Sequence, residues 1–214
     1  MSIRDLLILS PAEAKGKIAK NLIAEPFFRK ALGDGNILVN YGSTNAYILN
    51  ELGCGIDPSS YTAGKVSGGK FSVTPAEKRH PLLLIRKGKP EECTIEGALA
   101  KMGPGDLFLK GANMILPDGS AGIYIGSPTG GTVSFIPGAL AKGIIVITPV
   151  SISKTVSAIP VSMEGENGLP AIFILKNALL YTEINAFSRE GYYAAYMGLN
   201  GLDGNELVFE TIKR

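Results

Sequence analysis

Short apolar runs alternate with segments of helical periodicity along the first two thirds of the chain. Four such runs, without alternation of apolar and polar positions, lie at residues 36–40, 106–109, 121–125 and 144–148. Uniform runs of this length are typical of strands that are covered on both faces of a parallel sheet. Helical spacing is clearest at residues 11–24, where Ser10 and Glu13 fit a capping box. The pattern predicts an α/β fold with an open, largely parallel, Rossmann-like sheet flanked by helices.

The remaining predicted elements are less regular. Further helices are predicted at residues 26–33, 45–52 and 95–102, and a strand at residues 81–86 precedes a turn at 87–92. After residue 150 the pattern predicts strands at 151–159, 169–175, 192–197 and 206–212, with a turn at 164–168 and a helix at 180–189. We therefore expect a main α/β domain at residues 1–150 and a C-terminal α+β extension or small subdomain at residues 151–214.

Composition and charge exclude several classes of partner. The 214 residues are 45% hydrophobic and 19% charged, with a net charge of +2 and no long basic run. This indicates a globular protein that binds neither nucleic acid nor an anionic membrane surface. The nearest basic cluster, Lys15, Lys17 and Lys20, is interpreted as a solvated helix face. Without a secretory signal or an apolar stretch approaching ~20 residues, we expect a cytoplasmic protein.

Residues that commonly bind metals or form disulfides are scarce. The chain has two cysteines, Cys54 and Cys93, and one histidine, His80. Two cysteines without metal-ligand spacing are interpreted as reduced structural thiols, and a single histidine cannot form a multi-histidine metal site. We expect neither a metal nor another cofactor.

Three loops of small residues provide the candidate binding site. They contain Gly42, Ser43 and Thr44; Gly111, Ala112 and Asn113; and Gly126, Ser127, Thr129, Gly130, Gly131 and Thr132. Each loop follows a predicted apolar strand, and the carboxyl ends of parallel strands share one edge of a sheet. Backbone N–H groups, a helix N-terminus and hydroxyl groups suit a phosphate or carboxylate. We expect the three loops to converge on one anion-binding site.

Charged residues near these loops allow more than one interpretation. Lys110 follows a predicted buried strand and could neutralise a ligand phosphate, pair with Asp106 or Asp118, or extend its ammonium group into water. Charged residues of the 55–79 segment could likewise reach the site or only solvate the loop. They are Asp57, Glu77, Lys78 and Arg79.

The order of these motifs resembles a known superfamily. Residues 34–150 resemble the NagB/RpiA/CoA transferase-like superfamily, and most of all the ribose-5-phosphate isomerases. The segment ILVNYGSTNAYILNEL resembles their strand, Gly-Ser-Thr phosphate loop and helix. The segment KGANMILPDGSAGIYIGSPTGGT resembles their Asp-Gly-Ala-Asp segment and the following glycine-rich loop. The resemblance implies a protein that binds a phosphorylated or other anionic metabolite, such as a sugar phosphate, a nucleotide or a CoA ester.

The departures from the isomerase pattern concern its proton-transfer groups. Lys110 and Asn113 stand where the isomerases have the catalytic acids, and the glutamate that moves the proton is absent. Serine, threonine and asparagine do not supply a group of suitable pKa. We therefore do not expect ribose-5-phosphate isomerase activity, although Lys110 stays a candidate catalytic residue.

A second branch of the superfamily suggests an alternative. The segment Glu166-Asn167-Gly168 resembles part of the Ser-Glu-Asn-Gly motif of class I CoA transferases, whose glutamate is the nucleophile. This resemblance implies a CoA transferase-like or thioesterase-like enzyme with Glu166 as nucleophile, while the same residues also fit a hairpin turn. A non-catalytic metabolite sensor is a further alternative. The apolar-rich C-terminal segment could form a homo-oligomer interface.

Overall fold

The computed structural model describes residues 4–67, 70–127, 129–159, 164–165, 171–185, 192–199 and 207–213. The strands in this part of the chain are β1 (Arg4–Leu9), β2 (Asn36–Val39), β3 (Gly64–Ser67), β4 (Lys70–Val73), β5 (Leu82–Arg86), β6 (Lys89–Cys93), β7 (Leu107–Leu109), β8 (Met114–Ile115), β9 (Ala121–Ile125), β10 (Ile145–Pro149), β11 (Glu164–Gly165), β12 (Ala171–Leu175), β13 (Leu179–Tyr181), β14 (Tyr192–Leu199) and β15 (Leu207–Lys213). The α-helices are α1 (Pro11–Ala24), α2 (Pro26–Asp34), α3 (Ser43–Glu51), α4 (Ile95–Lys101) and α5 (Ile136–Ala141). Short 3-10 helices lie at Ala76–Lys78, Gly131–Phe135 and Ile152–Lys154.

A six-stranded sheet in the order β13-β10-β7-β2-β5-β6 forms the centre of the fold. The strands β13, β10, β7 and β2 are parallel neighbours. The strands β5 and β6 extend the sheet through antiparallel pairs. The predicted α/β class and mostly parallel sheet, flanked by helices, are confirmed.

The core explains why these runs form central strands. Leu38, Leu84 and Phe108 are fully buried, because each lies in a strand with neighbours on both sides and helices over the faces. The predicted capping box at α1 is present, since the Ser10 backbone N–H donates to the Glu13 carboxylate at 2.8 Å and the Glu13 N–H donates to Ser10 Oγ at 3.3 Å. These contacts satisfy N–H groups that the first turn of a helix otherwise leaves unpaired.

Three smaller sheets have the orders β1-β15-β14, β11-β4-β3 and β12-β9-β8. The predicted strand at residues 121–125 is β9, but it pairs antiparallel with β8 and β12 and does not join the central sheet. The segment 55–79, which showed no long periodicity, contains the short hairpin β3–β4. Strands on both sides of residue 150 share sheets, since β13 pairs with β10 and β15 with β1. The predicted division into a main domain at residues 1–150 and a C-terminal unit at 151–214 stays a prediction.

The sequence predicted a turn over the whole of residues 87–92, but only part of this segment is a turn. The turn is limited to Lys87 and Gly88, with φ of 47° and 76°, and β6 then returns along β5. Positive φ at both central residues matches the twist of a two-residue hairpin. Pro90 fits there because β6 is an edge strand, where a missing N–H leaves no neighbour unpaired.

Three predictions after residue 150 were also wrong in element type. Glu164 and Gly165 form strand β11, paired with β4, where the start of a turn was predicted. Residues 152–154 form a 3-10 helix instead of part of a strand, because Ser151 Oγ caps it by accepting a hydrogen bond from Ser153 N at 3.2 Å. Leu180 and Tyr181 belong to strand β13 instead of a helix, since pairing with β10 outweighs their local preference. Helical residues follow only at 183–185 within the described part. The predicted strands at 192–197 and 206–212 are confirmed as β14 and β15.

Among the described residues, no helix combines the length and the apolar character that crossing a membrane would require.

Candidate functional site

A cavity of about 1220 Å³ lies at the carboxyl ends of the parallel strands β2, β7 and β10, and all three predicted loops line it. The loop residues in contact with it are Gly42, Ser43, Thr44, Gly111, Ala112, Asn113, Gly126, Ser127, Gly130, Gly131 and Thr132. Thr129 does not line the cavity; its hydroxyl lies 2.9 Å from that of Ser127. The expected convergence of segments that are far apart in sequence is therefore seen in the structure.

The first loop is shorter than predicted, because Ser43 and Thr44 already belong to the first turn of α3. Gly42 precedes the helix, and no side chain caps it. The first N–H groups of a helix lack intrahelical partners and carry the positive end of the helix dipole. The N-terminus of α3 therefore presents donors and partial positive charge to the cavity.

The second loop is fixed from both sides. Asn45 of α3 donates from Nδ2 to the carbonyl oxygen of Leu109 at 3.1 Å, which joins α3 to the end of β7. Asn113 Oδ1 accepts a hydrogen bond from Tyr124 N at 3.0 Å, which joins the loop to β9. The predicted ligand residue Asn113 thus has a structural contact through its amide oxygen.

The third loop follows β9, so it approaches the cavity from a different sheet. Gly130 and Gly131 have φ of 79° and 54°, a left-handed conformation that other residues adopt only with strain. Gly126 has another reason to be glycine, because a Cβ atom there would lie 2.5 Å from Val73 Cγ2 and 2.8 Å from the Phe71 ring. The composition of this loop thus reflects both backbone conformation and close packing.

The charges that line the cavity are strongly unbalanced. In the described residues, six basic side chains and one carboxylate, that of Asp57, reach it. The basic residues are Lys15, Lys65, Lys78, Arg79, Lys110 and Lys154. Asp57 is already engaged, since its Oδ1 accepts a hydrogen bond from Ser59 N at 3.0 Å. A cavity with this excess of positive charge favours an anionic occupant.

Several of these positions settle questions that the sequence left open. Lys15 lines the cavity and is half-buried, so the solvated-face interpretation is wrong for this lysine. Burial lowers the pKa of its ammonium group. Lys78 and Arg79 reach the cavity, and the Arg79 guanidinium lies 5.7 Å from the centre of the Tyr41 ring. Glu77, by contrast, does not line the cavity.

Among the described basic residues of the cavity, Lys110 is buried and Lys154 is half-buried. Lys110 is 8% exposed, and its Nζ donates to the carbonyl oxygen of Gly111 at 3.2 Å. Lys154 Nζ donates to the carbonyl oxygen of Ala112 at 2.7 Å. No ion pair joins either ammonium group to a carboxylate of the described residues, including Asp106 and Asp118. The proposed pairing of Lys110 with these aspartates, and its extension into water, are therefore not seen.

Burial and repulsion by a neighbouring lysine weaken the proton affinity of both lysines. Burial, and secondarily the charge of Lys154, lowers the pKa of Lys110 to about 8. Burial, and secondarily the charge of Lys15, lowers the pKa of Lys154 to about 8, while Glu183 acts in the opposite direction. Both effects disfavour the charged form of an amine.

Glu183 is a buried carboxylate that the sequence analysis missed. It lies just after β13 and is fully buried, which raises the pKa of its carboxyl group. Its Oε2 accepts a hydrogen bond from Ile152 N at 3.0 Å, and Ser151 adds a side-chain hydrogen bond. The signal was a glutamate directly after an apolar run, but the helix predicted over residues 180–189 concealed the strand end.

Unpaired polar atoms concentrate at the same edge of the sheet. Among the described residues, buried side-chain atoms without a hydrogen-bond partner include Asn40 Nδ2, Asn45 Oδ1, Thr148 Oγ1 and Glu183 Oε1. All four residues lie at or just beyond the carboxyl ends of β2, β10 and β13, or in the first turn of α3. Buried polar groups are normally paired, and the exceptions are often associated with function.

The cavity has two contrasting walls. The sheet wall consists of residues 42–44, 110–113 and 151–154, which follow the central strands. The apolar wall consists of Phe71, Val73, Met114, Tyr124 and Val156, which form one packed cluster beside the cavity. The Phe71 and Tyr124 rings lie 5.5 Å apart in a tilted arrangement. An occupant would therefore meet Lys110 and Lys154 at the sheet wall and hydrocarbon at the apolar wall, while Lys65 in β3 adds a positive charge beside the β4 strand of the apolar wall.

The other candidate residues lie away from this cavity or outside the described residues. His80 Nδ1 lies 2.8 Å from the carbonyl oxygen of Pro81 at the start of β5, and His80 does not line the cavity. Cys54 and Cys93 are free thiols. Within the described part of the chain, no three His, Cys, Asp or Glu side chains come together as a metal site. Glu166 lies outside the described residues, so its role as a nucleophile stays a prediction.

No protein-family model matches the chain, and no curated protein matches it. The resemblance to the NagB/RpiA/CoA transferase-like superfamily therefore rests on the two quoted segments, and the functional argument rests on the geometry of the cavity.

Proposed function

We propose that the chain is a NagB/RpiA/CoA transferase-like protein with a Rossmann-like sheet that binds a phosphorylated or otherwise anionic small metabolite in this cavity. One observation carries the proposal: among the described residues, three glycine-containing loops and six basic side chains, against a single carboxylate, line the same cavity. Sugar phosphates, nucleotides and CoA esters are the ligand classes that this chemistry suits.

Backbone donors and basic side chains have different roles in this proposal. The uncapped N-terminus of α3 and the turn at Gly130 and Gly131 provide N–H groups at fixed positions. Such donors suit the oxygen atoms of a phosphate without requiring a side chain. Lysine and arginine supply the net charge that attracts the ligand into the cavity.

The size of the cavity argues for a ligand larger than an inorganic anion. Ligand sites commonly enclose about 300 to 1,000 Å³, and this cavity exceeds that range at about 1220 Å³. The apolar wall could cover a base, a sugar ring or an acyl chain while the charged group contacts the sheet wall. The proposal assigns a ligand class and no reaction.

A substitution at the start of α3 tests the proposal. Ser43→Asp places a carboxylate in the first helical turn, where it favours the helix dipole and so preserves the fold. The same carboxylate repels an anion, and we expect an affinity loss of about tenfold or more. Ser43→Asn is the matched control, with a neutral side chain of similar size.

Thermal-shift and calorimetric titrations with sugar phosphates, nucleotides and CoA esters provide the measurement. We expect at least one class to stabilise the wild type and the Asn variant, and to bind the Asp variant weakly. A crystal grown with sulfate should place the anion within hydrogen-bond reach of the backbone at Ser43, Thr44 or Gly130. The proposal fails if none of these compounds stabilises the protein, or if anions bind only on another face.

A further inference from the structure

Two lysines from different elements reach the same backbone loop. Lys110 lies at the end of β7 and Lys154 in the 3-10 helix after β10. Their ammonium groups donate to the carbonyl oxygens of two consecutive residues, Gly111 and Ala112, at 3.2 and 2.7 Å. Because consecutive α carbons are ~3.8 Å apart, the two ammonium groups lie within roughly 10 Å of each other.

The surroundings do not fully neutralise this pair. Lys15 from α1 adds a third positive charge, and it lowers the pKa of Lys154. Glu183, after β13, is a carboxylate that offsets part of the charge at Lys154; its Oε2 is held by Ile152 N, and its Oε1 forms no hydrogen bond. Hydrogen bonds to two carbonyl oxygens orient the ammonium groups without cancelling their charge. Lysines are rarely buried in proteins unless they are paired.

A purely structural role would explain the contacts but not the charge. If the lysines only fixed the loop, a neutral donor would serve and would avoid the free-energy cost of burying two like charges. Both residues also line the cavity, close to the N-terminus of α3, because Asn45 of α3 contacts the residue before Lys110. The missing partner of the two lysines is therefore expected inside the cavity.

We infer that Lys110 and Lys154 together form the binding site for a dianion, the phosphate group of a phosphate monoester. The inference deepens and rests on the proposed function. It assigns the doubly charged end of the ligand to the sheet wall. A phosphate monoester has its second pKa at about 6, so it is a dianion near neutral pH, whereas a carboxylate carries one charge. Two cations and the helix N-terminus match the larger charge.

Binding should be linked to proton uptake. In the free protein the pKa of each lysine lies at about 8, so each is only partly charged at that pH. A bound dianion favours the charged forms of both lysines, and the complex must then take up protons. At pH 8 we expect uptake of about one proton per dianion, falling toward zero at pH 6, where both amines are already charged.

Sulfate is the probe, because it keeps two charges across this pH range. Its binding is compared with that of nitrate, a monoanion, at constant ionic strength, by thermal shift and by calorimetry in two buffers that differ in ionisation enthalpy. The variants are Lys110→Met, Lys154→Met and the charge-preserving Lys154→Arg. Lys20→Met is the control, since Lys20 is exposed on α1 and does not line the cavity.

We expect either methionine variant to lose about tenfold or more in sulfate affinity, and to lose at least half of the proton uptake. Lys154→Arg should retain sulfate binding, and Lys20→Met should match the wild type. A melting transition recorded for every variant shows that it is folded. Equal binding of nitrate and sulfate, or unchanged sulfate binding by both methionine variants, would overturn this inference and leave the proposed function standing. A protein that binds no anion at all would overturn both.

Discussion

The sheet wall and the apolar wall face the same cavity but differ in how they are built. The sheet wall follows strands that are buried in the centre of the fold, such as β7 with Phe108 fully buried. The apolar wall comes from short strands of the smaller sheets and is held by contacts among its own side chains. Precise placement of donors requires rigid support, whereas an apolar surface only needs to exclude water. Under the proposed function, we expect the sheet wall to contact the charged group of a ligand and the apolar wall to cover the rest.

The strongest test of this division removes a side chain from the apolar wall. Phe71 is 7% exposed, so Phe71→Ala should lower the free energy of unfolding by about 3 to 5 kcal/mol. Sulfate binding should change less than about twofold, since the charges of the sheet wall stay in place. Ligands that combine a phosphate with an aromatic base should bind more weakly.

Urea unfolding and calorimetry measure the two effects, and Phe71→Leu is the matched control. Because leucine conserves most of the apolar volume, we expect a loss below about 1.5 kcal/mol. If Phe71→Ala loses sulfate affinity as strongly as it loses affinity for a nucleotide, the two walls do not act separately.

The same contrast explains which features could be predicted from the sequence. The sheet wall could be found because its signals are local: an apolar run such as residues 106–109, then small residues, then a capped or glycine-led helix. The hairpin of β3 and β4 could not, since four-residue strands carry little periodicity and Phe71 reaches the cavity only through pairing within its own sheet. The assignment of β9 to the central sheet failed for a related reason, because strand partners are not encoded in a single run.

The charges of the site were only partly predictable. Lys110 could be identified, because it directly follows a buried strand. Lys15 and Lys154 could not, since their proximity to Lys110 depends on how α1 and the 3-10 helix pack against the sheet edge. Gly126 matched the loop pattern, but its closest neighbours, Val73 and Phe71, show a packing requirement that no sequence motif indicated.

The second test concerns the free-energy cost of charge in the sheet wall. Lys110 carries a pKa of about 8 in the folded protein, below the usual value of ~10.4 that it regains on unfolding. The unfolded chain therefore binds more protons between these values, so the contribution of Lys110 to stability rises with pH through this interval. Below pH 8 the buried charge destabilises the fold by on the order of 3 kcal/mol.

Lys110→Met should accordingly be more stable than the wild type at pH 7, by up to that amount, even though it loses sulfate binding. Its advantage should shrink as the pH rises from 8 and should be nearly gone only above about pH 11, where the wild-type lysine is neutral in both states. Urea unfolding of both proteins at each pH measures this difference, because groups that do not interact with Lys110 contribute equally to the two curves; Lys154, whose charge acts on Lys110, is the group that can also differ. A methionine variant that is less stable at pH 7 would show that Lys110 is a structural donor.

The smallest expected effect lies where the two walls meet. A Cβ atom on Gly126 would approach Val73 Cγ2 to 2.5 Å and the Phe71 ring to 2.8 Å, so Gly126→Ala must displace the apolar wall from the third loop. We expect a loss of about 1 to 3 kcal/mol in the free energy of unfolding. Nucleotide binding should weaken more than sulfate binding, because the displaced side chains belong to the apolar wall.

Gly138→Ala is the matched control, since Gly138 lies within α5 and no atom would contact its Cβ within 4 Å. Alanine is the better helix former, so this control should be neutral or stabilising by up to about 1 kcal/mol. If Gly126→Ala lowers stability but weakens sulfate and nucleotide binding equally, the third loop acts with the sheet wall. In that case the third loop contributes to binding of the charged group through its backbone donors. The boundary between the two walls would then lie between Gly126 and β4.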